Sequence, residues 1–205
     1  TEIYTLSLHD ALPILLPFYL PWVAGVLANG KCAQDDIVMT VMLWRLDADD
    51  IAGALEIARY AMTWGLTMPT GRRPTPYLLA EEVALAAQRL LAAKQPVELA
   101  NLLDTIALTE RADMPDIVRA KLHKITGYVL RDASQLPEAL AHLQRAIQLE
   151  RTIGVKKDIE QLERQLRPKP EPAPKTKTTK PRTRKPAAKP AARRGRPPKA
   201  AKAAG

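Results

Sequence analysis

A chain of 205 residues with a net charge of +9 has room for one ordinary domain and a tail, and it must build its core with few aromatics (4%). The charge is divided unevenly: residues 168–205 hold 13 Lys/Arg against one Glu, a net +12, whereas residues 1–167 hold 18 Lys/Arg against 21 Asp/Glu, a net −3. A single cysteine, Cys32, excludes an internal disulfide framework and a thiolate metal cage, with an intracellular setting as the default.

The first fourteen residues, TEIYTLSLHDALPI, read as a segment foreign to the domain, of the kind that translation through a sequencing adapter produces, with a short natural helix capped by Ser7 or Asp10 as the alternative; a start at Thr1 instead of Met fits a fragment. The longest apolar run, Ala11 to Leu20, carries Pro13 and Pro17 and is followed by Pro21, so it reads as too short and proline-broken to span a bilayer. A short helix with Pro21 at its first position is expected to end at Asn29-Gly30.

Residues 35–65 form the expected centre. Asp35 and Asp36 suit a helix N-terminus, and Ile37 to Leu46 is apolar except for Thr40 and Arg45, which predicts a helix buried nearly all round. Asp47-Ala48-Asp49-Asp50 breaks and recaps the chain. The next helix turns Ile51, Ala54, Leu55, Ala58 and Met62 inward, with Gly65 as its C-cap. Pro69, Gly71, Pro74 and Pro76 then mark a loop with Arg72-Arg73 at its tip.

Further helices are predicted with inner faces at Leu79, Val83, Ala86 and Leu90; at Leu99, Leu103 and Ile106; at Val118, Leu122, Ile125 and Val129; at Leu136, Ala139, Leu140, Leu143 and Ile147; and at Val155, Ile159, Leu162 and Leu166. Asp113-Met114-Pro115 signals the start of the third of these, and the pairs Glu160–Arg164 and Glu163–Arg167 suit the last. The pattern Asp47-Ala48, Ile51, Ala54-Leu55, Ala61 recurs as Asp132-Ala133, Leu136, Ala139-Leu140, Ala146. Both copies begin the second helix of a hairpin, and the second has a tetratricopeptide-like look. No period-2 run predicts a strand. The fold class is therefore all-α: a compact multi-helix bundle with tetratricopeptide-like hairpins over residues 15–167, followed by a disordered basic tail. That tail, 168–205, has nine prolines and no aromatic or large aliphatic residue, too little to offset the entropy of ordering.

Catalytic patterns are scarce. No phosphate-cradling glycine loop is present, and His123 and His142 fall on different helices off the inner stripes, so no cofactor or metal is called for. The carboxylates Asp35 and Asp36 stand some eleven residues from Asp47, Asp49 and Asp50 along one helix. At 1.5 Å per residue that is roughly 15 Å, against the ~4 Å of a two-metal nuclease centre. Helix capping is the better account of them.

The tail carries a mechanism. Arg193-Arg194-Gly195-Arg196-Pro197-Pro198-Lys199 resembles the AT-hook, in which glycine lets the backbone approach the minor-groove floor while flanking arginines enter it. Arg182, Arg184, Lys185 and Lys189 would neutralise phosphates, with Arg72, Arg73, Lys156 and Lys157 as secondary contacts.

The stretches LLPFYLPWV, GKCAQDDIVMTVMLWRLDADDIAGALEIARYAM, GLTMP, EEVALAA, ADMPDIVRAKLHKITGYVLRD and GVKKDIEQLERQLRPKPEP resemble the small terminase subunit of temperate contractile-tailed bacteriophages, colinearly from about Leu15 to Leu166 and on into the tail. That resemblance implies a DNA-recognition and regulatory subunit in the bacterial host cytoplasm. It would present phage double-stranded DNA to a large ATPase and nuclease subunit, form a homo-oligomer, and reach the procapsid through the holoenzyme. It also implies an N-terminal arm ahead of LPFYLPW, which the adapter-like segment replaces here. Two rival readings differ in kind: a subunit with its own metal-dependent cleavage at Asp35–Asp50, or a helical adaptor with a nonspecific basic tail.

Overall fold

The structure, a computed structural model, describes residues 8–167 apart from 31, 70 and 72. Among the described residues there are eight helices and no strand: α1 (Leu8–Asn29), α2 (Asp36–Asp47), α3 (Ile51–Trp64), α4 (Thr75–Ala92), α5 (Leu99–Thr109), α6 (Asp116–Asp132), α7 (Leu136–Leu149) and α8 (Lys156–Leu166). The tail expectation falls outside the described residues.

Three helices end in the same way. After Ala48, Ala93 and Ala133, the residues Asp49, Lys94 and Ser134 take φ values of 60°, 56° and 63°, in the left-handed region. The next amide then reaches back over the last turn: Asp50 N to Arg45 O at 2.8 Å, Gln95 N to Leu90 O at 2.9 Å, Gln135 N to Leu130 O at 2.9 Å. This is the Schellman closure, which satisfies carbonyls the helix leaves open. It is also the structural content of the echo at Asp47 and Asp132: each turn folds the chain back at once, giving the hairpins α2–α3 and α6–α7. Gly65 closes α3 with φ 68° as expected.

The larger core lies among α2, α3 and α4, with α1, α5 and α6 around it, and includes Met39, Met42, Leu46, Leu55, Ile57, Leu79 and Leu102. A smaller one joins Leu130, Ala139, Leu143, Val155 and Leu162 of α6–α8. α6 serves both, sending Val118, Leu122, Ile125 and Val129 to the first and Leu130 to the second. Tyr128 and Arg131 of α6 bond Asp158 of α8 at 3.2 and 3.3 Å, and Lys124 donates to Ile153 O at 2.9 Å.

Several expectations need correction. α1 does not start at Pro21: it is continuous from Leu8 through Pro13, Pro17 and Pro21. The prolines are spaced by four and all are exposed, so the carbonyls left without an N–H partner line one solvent-facing strip where water can satisfy them. Ala11–Asn29 is consequently long and apolar enough to cross a membrane by length and composition, contrary to the proline-broken reading. Here α1 packs on α2 and α3, with Val23 buried. In α5 Leu99 and Ile106 pack against the core as expected, but the buried residues are Leu102, Thr105 and Thr109, and Leu103 is exposed. Each threonine hydroxyl donates to the carbonyl four residues back at 2.7 Å, so threonine can be buried where hydropathy would place it outside. α6 starts at Asp116, after Pro115, later than Asp113 suggested. Ile37 of α2 and Leu166 of α8 are exposed, and neither Glu160–Arg164 nor Glu163–Arg167 forms an ion pair.

The α6–α7 contact depends on a glycine. A Cβ at Gly127 would stand 2.7 Å from Leu143 Cδ2 and 3.3 Å from Ala139 O, so any side chain must push α7 away or twist Leu143. Gly127→Ala is expected to cost about 1–3 kcal/mol, as overpacking does. It should lower the urea midpoint with little change in slope.

Candidate nucleic-acid interface

The acidic group around α2 is committed to structure. Asp35 is the N-cap: its Oδ1 accepts from Val38 N at 2.9 Å and its Oδ2 from Trp22 Nε1 at 3.0 Å. Asp36 accepts from Gln34 Nε2 at 3.0 Å. Asp50 caps α3 through Gly53 N at 2.9 Å and pairs with Arg45 at 3.1 Å. Asp49 meets Arg89 at 2.8 Å, and Arg89 also donates to Leu46 O at 2.7 Å, which closes the end of α2. These carboxylates therefore divide between the two ends of α2. A second acidic contact escaped the sequence reading: Glu82 of α4 is held above the usual carboxylate range by burial, then by the charges of Asp47 and Glu81. Among the described residues, no three His, Cys, Asp or Glu side chains are grouped to hold a metal ion.

The body's arginines are largely engaged. Arg59 pairs with Asp104 at 2.6 Å, and Arg131 with Asp158 at 3.3 Å. Arg119 donates to Glu110 O at 3.0 Å, to Thr109 O at 3.3 Å and to Ala112 O, covering the C-terminal end of α5. Of the secondary candidates, Arg73 is ion-paired with Glu81 and lies over the Tyr77 ring at 5.7 Å. Lys156 and Lys157 open α8 and are exposed, without a hydrogen-bonded or ion-paired partner among the described residues. Cations at a helix N-terminus gain nothing from its dipole, which leaves them available to an anion. Arg73 precedes α4, which does not pack on α8, so the structure does not join these cations into one patch. Arg72 lies outside the described residues, as do Arg182, Arg184, Lys185, Lys189, Arg193, Arg194, Gly195, Arg196, Pro197 and Lys199.

His123 of α6 and His142 of α7 do meet, with Nδ1 atoms 3.0 Å apart and ring centroids 5.2 Å apart. At that distance one nitrogen donates and the other accepts, which two protonated rings could not do. Burial, then His142, Arg145 and Arg119, push His123 down to about 4; burial lowers His142 as well. Sequence reading missed this pair because the residues are nineteen apart with no local motif; the only signal was that both flank the inner stripes of one hairpin.

The described body is all-helical, with Asp35 and Asp50 capping two of its helices, and is joined in sequence to an arginine- and lysine-rich tail. Residues 12–117 match the family described as phage small terminase subunit. Over 188 residues the chain is 63% identical to a protein of Escherichia phage P2 named "Terminase, endonuclease subunit", covering 91% of this chain and 75% of that one. It is 28% identical over 161 residues to the "Probable terminase, endonuclease subunit" of Haemophilus phage HP1, covering 71% of this chain and 57% of that protein. No solved structure matches. The chain belongs to the phage small terminase subunit family, and its function is that of a terminase small subunit in phage DNA packaging.

The histidine pair generates a pH dependence. Both rings titrate lower when folded than the ordinary 6.5, so the unfolded chain binds more protons as pH falls. Their contribution is complete above about 6.5 and is lost progressively as pH drops towards about 4. Glu82, raised, acts in the opposite sense. Thermal melting should show the midpoint falling across that window in the parent, with a flatter fall in His123→Gln.

Proposed function

We propose that the chain contacts phage DNA with residues 168–205 and protein partners with the helical body 15–167. The observation that carries this reading is the charge division, +12 in the tail against −3 before it, with Arg194-Gly195-Arg196-Pro197 inside the basic stretch. Glycine at 195 permits close approach to the groove floor, and Arg194 and Arg196 enter where A·T-rich DNA is narrow and its potential most negative. Arg193, Lys199, Arg182, Arg184, Lys185 and Lys189 meet phosphates, with Lys156 and Lys157 adding weaker contacts. Arg72 and Arg73 come last in this order, since Arg73 must first leave Glu81. The subunit then hands DNA to the large ATPase and nuclease subunit, as a homo-oligomer in the host cytoplasm, and reaches the procapsid through the holoenzyme.

The name carried by the P2 relative favours a second reading, in which the small subunit itself cleaves DNA. Its carboxylates would be Asp35 and Asp50, both of which here serve as N-caps. Mg²⁺-dependent cleavage by the purified subunit, lost in Asp35→Ala or Asp50→Ala with folding intact, would establish it. The adaptor reading requires protein capture with no retention of DNA.

Truncation after Arg167 tests the main reading. If roughly 6–10 tail cations engage phosphates, the full chain should lose about 10³–10⁵-fold in DNA affinity between 50 and 200 mM salt. The truncated protein should bind weakly with a shallow salt slope. Unchanged affinity and slope would move the contact surface to the body. Arg194→Ala with Arg196→Ala should remove a preference for A·T-rich duplex while keeping most nonspecific binding, read by competition with G·C-rich DNA.

A further inference from the structure

The body carries a groove of about 540 Å³ between α4 and α6, away from the caps and ion pairs around α2. Its floor and walls are Ala84, Leu85 and Leu91 of α4 with Ile125 and Tyr128 of α6, exposed Gln88 interrupts the apolar stretch on α4, and Lys121 and Lys124 stand on the α6 side. Leu85 is 39% exposed. Lys121 has no hydrogen-bonded or ion-paired partner among the described residues, and Lys124 meets only the carbonyl of Ile153 and the Tyr128 ring, neither of which neutralises it. No acidic side chain lines the groove.

We propose that this α4–α6 groove docks an acidic amphipathic helix of a protein partner, with leucine-type side chains on the apolar floor and carboxylates against Lys121 and Lys124. Three features select this occupant. The α4 wall runs from Ala84 to Ala92, apolar but for Gln88 and about 12 Å long at 1.5 Å per residue, which is the length of two helical turns. Small residues at Ala84 and Ala92 leave room for a ridge of side chains to enter, and the described residues offer no sheet edge for an extended segment to join. Two uncancelled ammonium groups beside an apolar surface then choose sign: a neutral or basic helix would leave them desolvated and unpaired. The basic tail of the chain itself is excluded on the same ground. Nucleic acid fits poorly, because the groove that the lysines flank is largely apolar. The proposal is independent of the tail's role on DNA.

The test uses the full chain with isotope-labelled methyl groups and two synthetic helical peptides. Each has about four leucines at the i, i+3, i+4, i+7 spacing, flanked by glutamates in one peptide and by lysines in the other. The glutamate peptide should shift the Leu85, Leu91 and Ile125 methyl resonances, an observable separate from its nonspecific attraction to the tail. Leu85→Asp should weaken that binding at least tenfold with unchanged circular dichroism. Lys121→Glu combined with Lys124→Glu should reverse the preference, so that the lysine peptide now binds. Absence of methyl shifts with the glutamate peptide, equal shifts with both peptides, or no reversal in the charge-swapped protein would overturn the proposal. So would groove resonances that move on diluting the protein alone, which would assign the surface to a second copy of this chain.

Discussion

α6 is packed on two opposite sides, and the body is arranged around that constraint. One stripe of it faces the larger core through Val118, Leu122, Ile125 and Val129 while Leu130 faces the smaller. A helix buried on both sides cannot rotate to relieve a poor fit, so its neighbours must fit it. Gly127 lets Leu143 come within reach of the α6 backbone, and Thr126, fully buried, returns its hydroxyl to Leu122 O at 2.8 Å. The polar side of α6 in turn anchors the C-terminal part of the body: Lys124 holds the Ile153 turn, and Tyr128 with Arg131 holds Asp158 on α8. Even the Tyr128 hydroxyl is restrained, pushed up to about 12 by burial and by the adjoining Asp158 carboxylate.

The same economy governs the acidic residues. A carboxylate at a helix N-terminus is stabilised by free amides and by the dipole, and removing such a cap costs about 1 kcal/mol. Asp35 and Asp50 occupy those places, while Asp49 and Arg89 tie the end of α2 to α4. Gly53 belongs to this arrangement too, since a Cβ there would collide with the Arg45 guanidinium that pairs with Asp50. A metal centre built from these residues would therefore compete with the caps that form the central hairpin.

Much of this was legible in the sequence where one local rule decided the outcome. The caps at Asp35 and Asp50, the stop at Gly65 and the inner stripes of α6 and α7 needed only periodicity and end chemistry. What was not legible depended on tertiary surroundings. α5 turned its threonines inward because a hydroxyl can be satisfied within its own helix, which hydropathy does not register. α1 ran through three prolines because their four-residue spacing gathers the lost donors on a wet face. The His123–His142 contact arises only when the Schellman turn at Ser134 lays α7 back along α6. For the residues proposed to contact DNA the sequence is the whole source of the reading, since the tail motif lies beyond the described residues.

The charge division acquires a physical reason from the body's ion pairs. For a phosphate to recruit Arg45, Arg89 or Arg131, it must displace Asp50, Asp49 or Asp158, and each displacement loosens a helix end or an interhelical tie. Arg119 would have to abandon the carbonyls at the end of α5. A tail with one Glu among 13 cations faces almost no such competition, and counterion release rewards it for every phosphate it meets. This is why the proposal puts the tail, with its one Glu, first, exposed Lys156 and Lys157 second, and Arg73, already paired, behind them. Among the described residues Lys121 and Lys124 pair with no carboxylate, and the only side-chain hydrogen bond of Lys124 is to the Ile153 carbonyl. Set beside largely apolar surface, they suit by the same reasoning a carboxylate carried on an apolar helix better than a phosphate carried on a polar backbone.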